Sequence, residues 1–184
     1  MTISFSTVWA NVWEFAKKPS LEPLRESFKE YPQKIFPYLL GIDLVLMFAL
    51  SILLSLAGAQ DLDHEVEKLL DNPLLLATMA VFFAPLLEEA IFRLPIGAWL
   101  GKYFKLVYWS LTIGFALLHL TNFSVSFPLY LAPLLILPQF LLGIIIGFVR
   151  LGWGFWYGVL FHALHNGILV GLTFIGMALE PMVN

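Results

Sequence analysis

Long apolar runs separated by short polar connectors give this chain the length scale of a membrane. A helix needs about 20 residues to cross roughly 30 Å of hydrocarbon. Five segments approach or meet that requirement: residues 36–57, 73–92, 106–120, 129–149 and 155–179. The third is short and is expected to begin nearer Tyr103. An acidic connector, residues 61–68, separates the first two and has the composition of a surface helix. Residues 1–34 mix apolar and charged positions without spanning length. There, Trp9, Trp13 and Phe15 ahead of Lys17 and Lys18 predict an N-terminal interfacial helix, with a solvated tail as the alternative. The expected fold is all-α, a polytopic integral membrane helix bundle of about five transmembrane helices. Residues 1–35 form its N-terminal segment and residues 36–184 a single membrane domain.

Composition sharpens the class. Of 184 residues, 60% are hydrophobic and 12% charged. Soluble domains carry about 25% charged residues, so the membrane class is favoured. Cysteine is absent, which excludes disulfides, thiolate zinc sites and a cysteine nucleophile. The net charge is -3 and no basic cluster suggests nucleic acid. Residues 1–35 lack a basic start followed by a short apolar run, so targeting is expected to rest on the first span. Lys17, Lys18, Arg25, Lys29 and Lys34 precede that span. Lys102 and Lys105 follow the second and Arg150 follows the fourth, while the other side has only Lys68. The positive-inside rule then predicts a cytoplasmic N-terminus and an external C-terminus, the parity of five spans.

Ionisable groups inside hydrocarbon are costly and mark sites. They fall here in three clusters. The first is Glu88-Glu89-Ala90-Ile91-Phe92-Arg93. Glu89 and Arg93 are four residues apart on one helical face, a structural ion pair. Glu88 is turned about 100° away. It is left to face a cavity, where an apolar surround suits a carboxylate to act as general base for water. Residence of all three at the headgroup level, beside Pro95, is the plainer reading. The second cluster ends the third span, with Phe115 and His119 at i, i+4. The third is Phe161-His162-Ala163-Leu164-His165-Asn166, which puts His162 and Asn166 on one face. Two such groups one turn apart can hold an oxyanion, ligate a metal and orient substrate, or join helices by hydrogen bonds. His165 is the weaker histidine, lacking a spaced partner. Asp43, near the start of the first span, is read as an interfacial or helix-packing residue. Neither His-Glu-x-x-His nor Gly-x-Ser-x-Gly occurs. Gly143 and Gly147 form a G-x-x-x-G that packs helices within the chain or between chains.

The order E-E-x-x-x-R, F-x-x-x-H, H-x-x-x-N on separate spans resembles the CPBP family of intramembrane proteases. That family includes Ras-converting CAAX endopeptidases and bacterial bacteriocin-processing or self-immunity proteins. The likeness covers roughly residues 75–170, including Pro85 to Pro95, Leu118 to Asn122 and Gln139 to Gly147. It implies an endopeptidase in which Glu88 and His119 activate a water, while His162 and Asn166 stabilise the oxyanion. Glu89 and Arg93 would be structural support. The resemblance leaves open a zinc held by Glu88, His119 and His162, or a metal-free glutamate mechanism. With no aspartate or second histidine at hand to fix the imidazoles, the metal-free reading is preferred.

The expected partners are a peptide or membrane-associated protein substrate and membrane lipids. The compact length is similar to prokaryotic members, implying a bacterial plasma membrane and a substrate without a prenyl tail. Two other functions compete: a non-catalytic scaffold or self-immunity protein that restrains a partner, and a transporter built on the carboxylates. The span boundaries conflict with the protease reading in one respect. They put Glu88 near the inner face and His119 near the outer end of its helix, more than ~10 Å apart in depth at ~1.5 Å per residue. Convergence demands tilt, a bend supplied by Pro85 or Pro95, or a third span starting before Tyr103 and continuing beyond Leu120.

Overall fold

The computed structural model describes residues 3–59, 68–98, 101–123 and 127–183. Nearly all of the acidic connector, residues 61–67, lies outside them. The described residues are helical throughout their ordered elements and contain no strand. Helices α1 (Phe5–Lys17), α2 (Glu26–Lys29) and α3 (Pro32–Leu56) lead into α4 (Pro73–Thr78). A π-helical turn, Met79–Phe83, joins α4 to α5 (Ala84–Phe92) and α6 (Leu94–Ala98). Then follow α7 (Phe104–Leu118), a 3-10 turn His119–Asn122, α8 (Ala132–Trp153) and α9 (Phe155–Val183). Five stretches are long and apolar enough to cross a membrane: Pro32–Leu56, Pro73–Gly97, Phe104–Asn122, Leu129–Trp153 and Phe155–Leu179.

The second span is longer than its sequence pattern predicts, and the reason is Arg93. A charged residue ordinarily ends a span. Arg93 is fully buried and paired, so the chain continues as α6 with Leu94 and Pro95 in its first turn. Glu88 therefore lies nine residues from the end of its span at Gly97. The third span begins at Phe104, not before Tyr103, and its final turn tightens to 3-10 at His119. Glu88 and His119 nevertheless meet, 3.7 Å apart at Oε2 and Nε2.

α8 is the most buried span and packs against α3, α7 and α9. Its glycines serve contacts within the chain. A Cβ on Gly147 would lie 2.8 Å from the Tyr108 ring, and one on Gly143 would lie 3.0 Å from Arg93 Nη2. The G-x-x-x-G thus lets α7 and the Arg93 side chain approach α8. Tyr108 is fully buried against Phe15, Phe104 and Trp109 and cannot swing aside. Gly147→Ala is expected to cost about 1–3 kcal/mol by overpacking, read as a lowered thermal unfolding midpoint in detergent. Gly154, at φ 106, turns α8 directly into α9.

The N-terminal helix forms over the expected residues. Its Val8, Val12 and Phe15 stripe joins the same buried cluster as Ile35, Leu39, Phe148 and Val149. Trp9 and Trp13 face outward and stack on each other at 6.2 Å. Trp153 Nε1 donates to the Lys29 carbonyl at 3.2 Å, tying this segment to the end of α8.

Candidate active site

α5, the end of α7 and the middle of α9 bring the three clusters together. Glu88 Oε2 lies 3.7 Å from His119 Nε2 and 3.7 Å from His162 Nε2. Both imidazoles have their other nitrogen engaged. His119 Nδ1 meets the Phe115 carbonyl at 2.8 Å, and His162 Nδ1 meets Glu89 Oε1 at 3.1 Å. A carbonyl and a carboxylate can only accept, so each neutral ring carries its proton on Nδ1. Each then turns an Nε2 lone pair toward the Glu88 carboxylate. At 3.7 Å these contacts are too long for direct hydrogen bonds.

Glu89 has a wider role than the ion pair read from its spacing. Its Oε2 is 3.9 Å from Arg93 Nε, and its Oε1 fixes His162. Arg93 is anchored in turn by the Gly143 carbonyl at 3.3 Å and lies 4.6 Å over the Phe115 ring. Phe115 also packs against His119 and His162, with ring centroids 4.7 and 5.7 Å away. One buried aromatic thus holds both imidazoles and the guanidinium in register.

Asn166 is placed by the backbone of the second span. The N–H of Ala84 reaches back to the Met79 carbonyl, the π register. In that register the Ala80 carbonyl would accept from residue 85, but Pro85 has no N–H. Asn166 Nδ2 supplies the missing donor at 2.7 Å. Pro85 acts here through the hydrogen bond it withholds, and the span carries a π turn at that point.

A cavity of about 530 Å³ opens beside these groups, lined by Glu88, His119 and Asn166. Met79, Phe83 and Leu87 form its outer wall and are largely exposed on the lipid-facing side of the bundle. Two further polar residues line it: Asn122, from the 3-10 turn, and Gln139, whose Oε1 is buried without a hydrogen-bond partner. The sequence pattern assigns neither a role, although both bound stretches of the likeness. An amide just after Pro138 inside an apolar span was the available signal.

His165 does have a partner, contrary to the expectation from spacing. Its Nδ1 meets Asp43 Oδ2 at 2.5 Å, and both residues are fully buried. The pair joins α3 to α9, and an aspartate is therefore at hand to fix an imidazole, as Glu89 fixes another. A lone acid and a lone imidazole in two apolar helices each need a partner in hydrocarbon. A double-mutant cycle with Asp43→Ala and His165→Ala should show a coupling of about 1–3 kcal/mol in unfolding free energy, the scale of a buried group left unsatisfied.

The expected zinc donors Glu88, His119 and His162 converge. Yet among the described residues no group of three His, Asp or Glu side chains is disposed to hold a metal ion.

Fold and cluster together define an integral membrane protein with an acid–imidazole site buried among its spans. The chain belongs to the Rce1-like family of type II CAAX prenyl endopeptidases, whose profile matches residues 70–168. That range holds all three motifs and leaves out α1 to α3. No curated protein and no solved structure matches the chain in the corresponding comparisons.

Proposed function

We propose that this protein is an intramembrane endopeptidase in which Glu88 activates a water for attack on a peptide carbonyl. The observation that carries the reading is the position of Glu88 Oε2 between two imidazole Nε2 atoms, 3.7 Å from each. Three lone pairs converging at that spacing can share the hydrogens of one water. Glu88 takes one proton as the water oxygen bonds to the carbonyl carbon, and the carbonyl π electrons move onto oxygen. His119, oriented by the Phe115 carbonyl, accepts the second hydrogen and aims the water. As the C–N bond breaks, the proton on Glu88 passes to the departing amine.

His162 is suited to share the transferred proton. With Nδ1 held by Glu89, it gains a charge on protonation that the buried carboxylate offsets. While His162 holds that proton its Nε2–H can donate to the oxyanion, and the proton then returns through Glu88 to the amine. Asn166, which lines the same cavity as Glu88, has a second N–H to donate as well. The family and the lipid-facing wall of the cavity support a membrane-associated peptide or protein substrate entering sideways from the bilayer. The distribution of Lys and Arg supports a cytoplasmic N-terminus.

The purified chain, reconstituted with a quenched fluorescent membrane-anchored peptide, is expected to cleave it, and His119→Ala is expected to abolish cleavage. Chelation with dialysis should leave turnover within about twofold. Loss on chelation with recovery on adding zinc would replace the metal-free mechanism with a metal-dependent one at these same residues.

A further inference from the structure

A second concave site shares no lining residue with the cavity beside the acid–imidazole cluster. Its cavity, about 840 Å³, is bounded by α1 with the segment that follows it and by residues 101–105 at the start of α7. Phe15 and Phe104 line it as buried aromatics. Four cations line it, Lys18, Arg25, Lys102 and Lys105, against two carboxylates, Glu14 and Glu22. Those carboxylates leave a net charge of +2, half of the positive charge, uncompensated. Arg25 meets Glu14 only at 3.8 Å with both side chains well exposed, and Glu22 leans toward Lys29 at 3.9 Å. Among the described residues, Lys18, Lys102 and Lys105 form no ion pair; Lys102 lies 5.7 Å over the Tyr103 ring.

Asn11 adds a second kind of recognition. It is 4% exposed and lines the same cavity. Its Nδ2 donates to the Pro23 carbonyl at 2.9 Å, which pins the segment carrying Lys18 and Arg25. Its Oδ1 is buried with no hydrogen-bond partner, an acceptor suited to a hydroxyl.

We propose that this cavity binds a phosphate-bearing anion, and that the occupant is the headgroup of an anionic phospholipid such as phosphatidylglycerol. The cations take the phosphate, and Asn11 Oδ1 takes a headgroup hydroxyl. Position selects lipid over a soluble phosphate. Residues 101–103 lie between the spans that end at Gly97 and begin at Phe104, which puts the cavity at the ends of two spans, where headgroups are expected. Leu106, directly beside Lys105, is 66% exposed on the lipid side of α7 and offers a path for an acyl chain. Positive loops at a membrane surface are common. A concave pocket built from two separated chain segments around a buried unpaired acceptor is more specific, and basic pockets at helix ends are a known mode of headgroup binding. An occupant bridging Lys18 and Arg25 to Lys102 and Lys105 would clamp the N-terminal segment to α7, the helix that carries Phe115 and leads into His119.

The test uses the full chain purified in a zwitterionic detergent, with native mass spectrometry and thermal unfolding. Phosphatidylglycerol, phosphatidylcholine and inorganic phosphate are the added probes. The wild type should retain phosphatidylglycerol and gain a few degrees in Tm, as binding to the folded state requires. The triple variant K18Q/K102Q/K105Q should bind it more weakly, on the order of tenfold or more. The control K17Q/K34Q, which removes charge from the same end of the bundle at residues outside the cavity lining, should bind as wild type. K18R/K102R/K105R should keep the adduct, which separates lost binding from lost folding. Equal retention in the pocket triple and the wild type, or equal loss in the control, would overturn the site. Stabilisation by inorganic phosphate without a lipid adduct would keep the anion site and overturn its lipid occupant.

Discussion

Glu88→Gln is expected to reduce peptide hydrolysis by about 10²–10⁴-fold, the usual scale of a lost general base. The substitution keeps the shape of the side chain and removes only its capacity to take a proton. Glu88 is partly exposed to the cavity and its Oε2 has no hydrogen-bond partner, so little of the fold depends on its charge. Its thermal unfolding midpoint should therefore stay within a few degrees of wild type. Measured together on one preparation, turnover and unfolding separate the enzyme from a binding scaffold. A scaffold has no turnover to lose. Cleavage by purified Glu88→Gln at a rate within tenfold of wild type would remove Glu88 from the mechanism.

Glu89→Leu should do the reverse to stability, despite being the neighbouring carboxylate. It leaves the fully buried Arg93 guanidinium without its acid and the His162 Nδ1–H without its acceptor. Breaking a buried charge pair from one side costs about 3–5 kcal/mol. The variant should unfold at markedly lower temperature or denaturant than Glu88→Gln. Activity should fall as well, because His162 loses the carboxylate that fixes its tautomer. An unchanged unfolding midpoint would show that Arg93 finds its neutralising partner elsewhere, and the support role given to Glu89 would lapse. The contrast between adjacent glutamates is the sharpest consequence of the helical geometry: about 100° of rotation sends one to the cavity and the other to the core.

Much of this was legible in the chain. Glu89 and Arg93, at i, i+4, pair as their spacing predicts, and Glu88 departs to another face. Phe115 and His119, one helical turn apart as their spacing predicts, pack with rings tilted at 59°. The apolar pattern makes the second span too short because it stops at Arg93. Buried against Glu89, Gly143 and Phe115, it permits the helix to run on toward Gly97. The partner of His165 was illegible because Asp43 lies 122 positions away, on a helix with no periodic relation to α9.

What the sequence determined alone is the membrane class, the five spans and the ionisable residues set within them. Each follows from local pattern, since hydrocarbon imposes a length on apolar runs and a cost on every ionisable group within them. What only the tertiary structure decided is which polar group answers which. Glu89 serves Arg93 and His162 at once, Asp43 takes His165, and Asn166 completes the carbonyl that Pro85 leaves open. Those pairings depend on how helices far apart in the chain are set against one another. Without water in the bilayer core, a buried polar group with no partner on its own helix can be satisfied only from another, and only packing brings the two together.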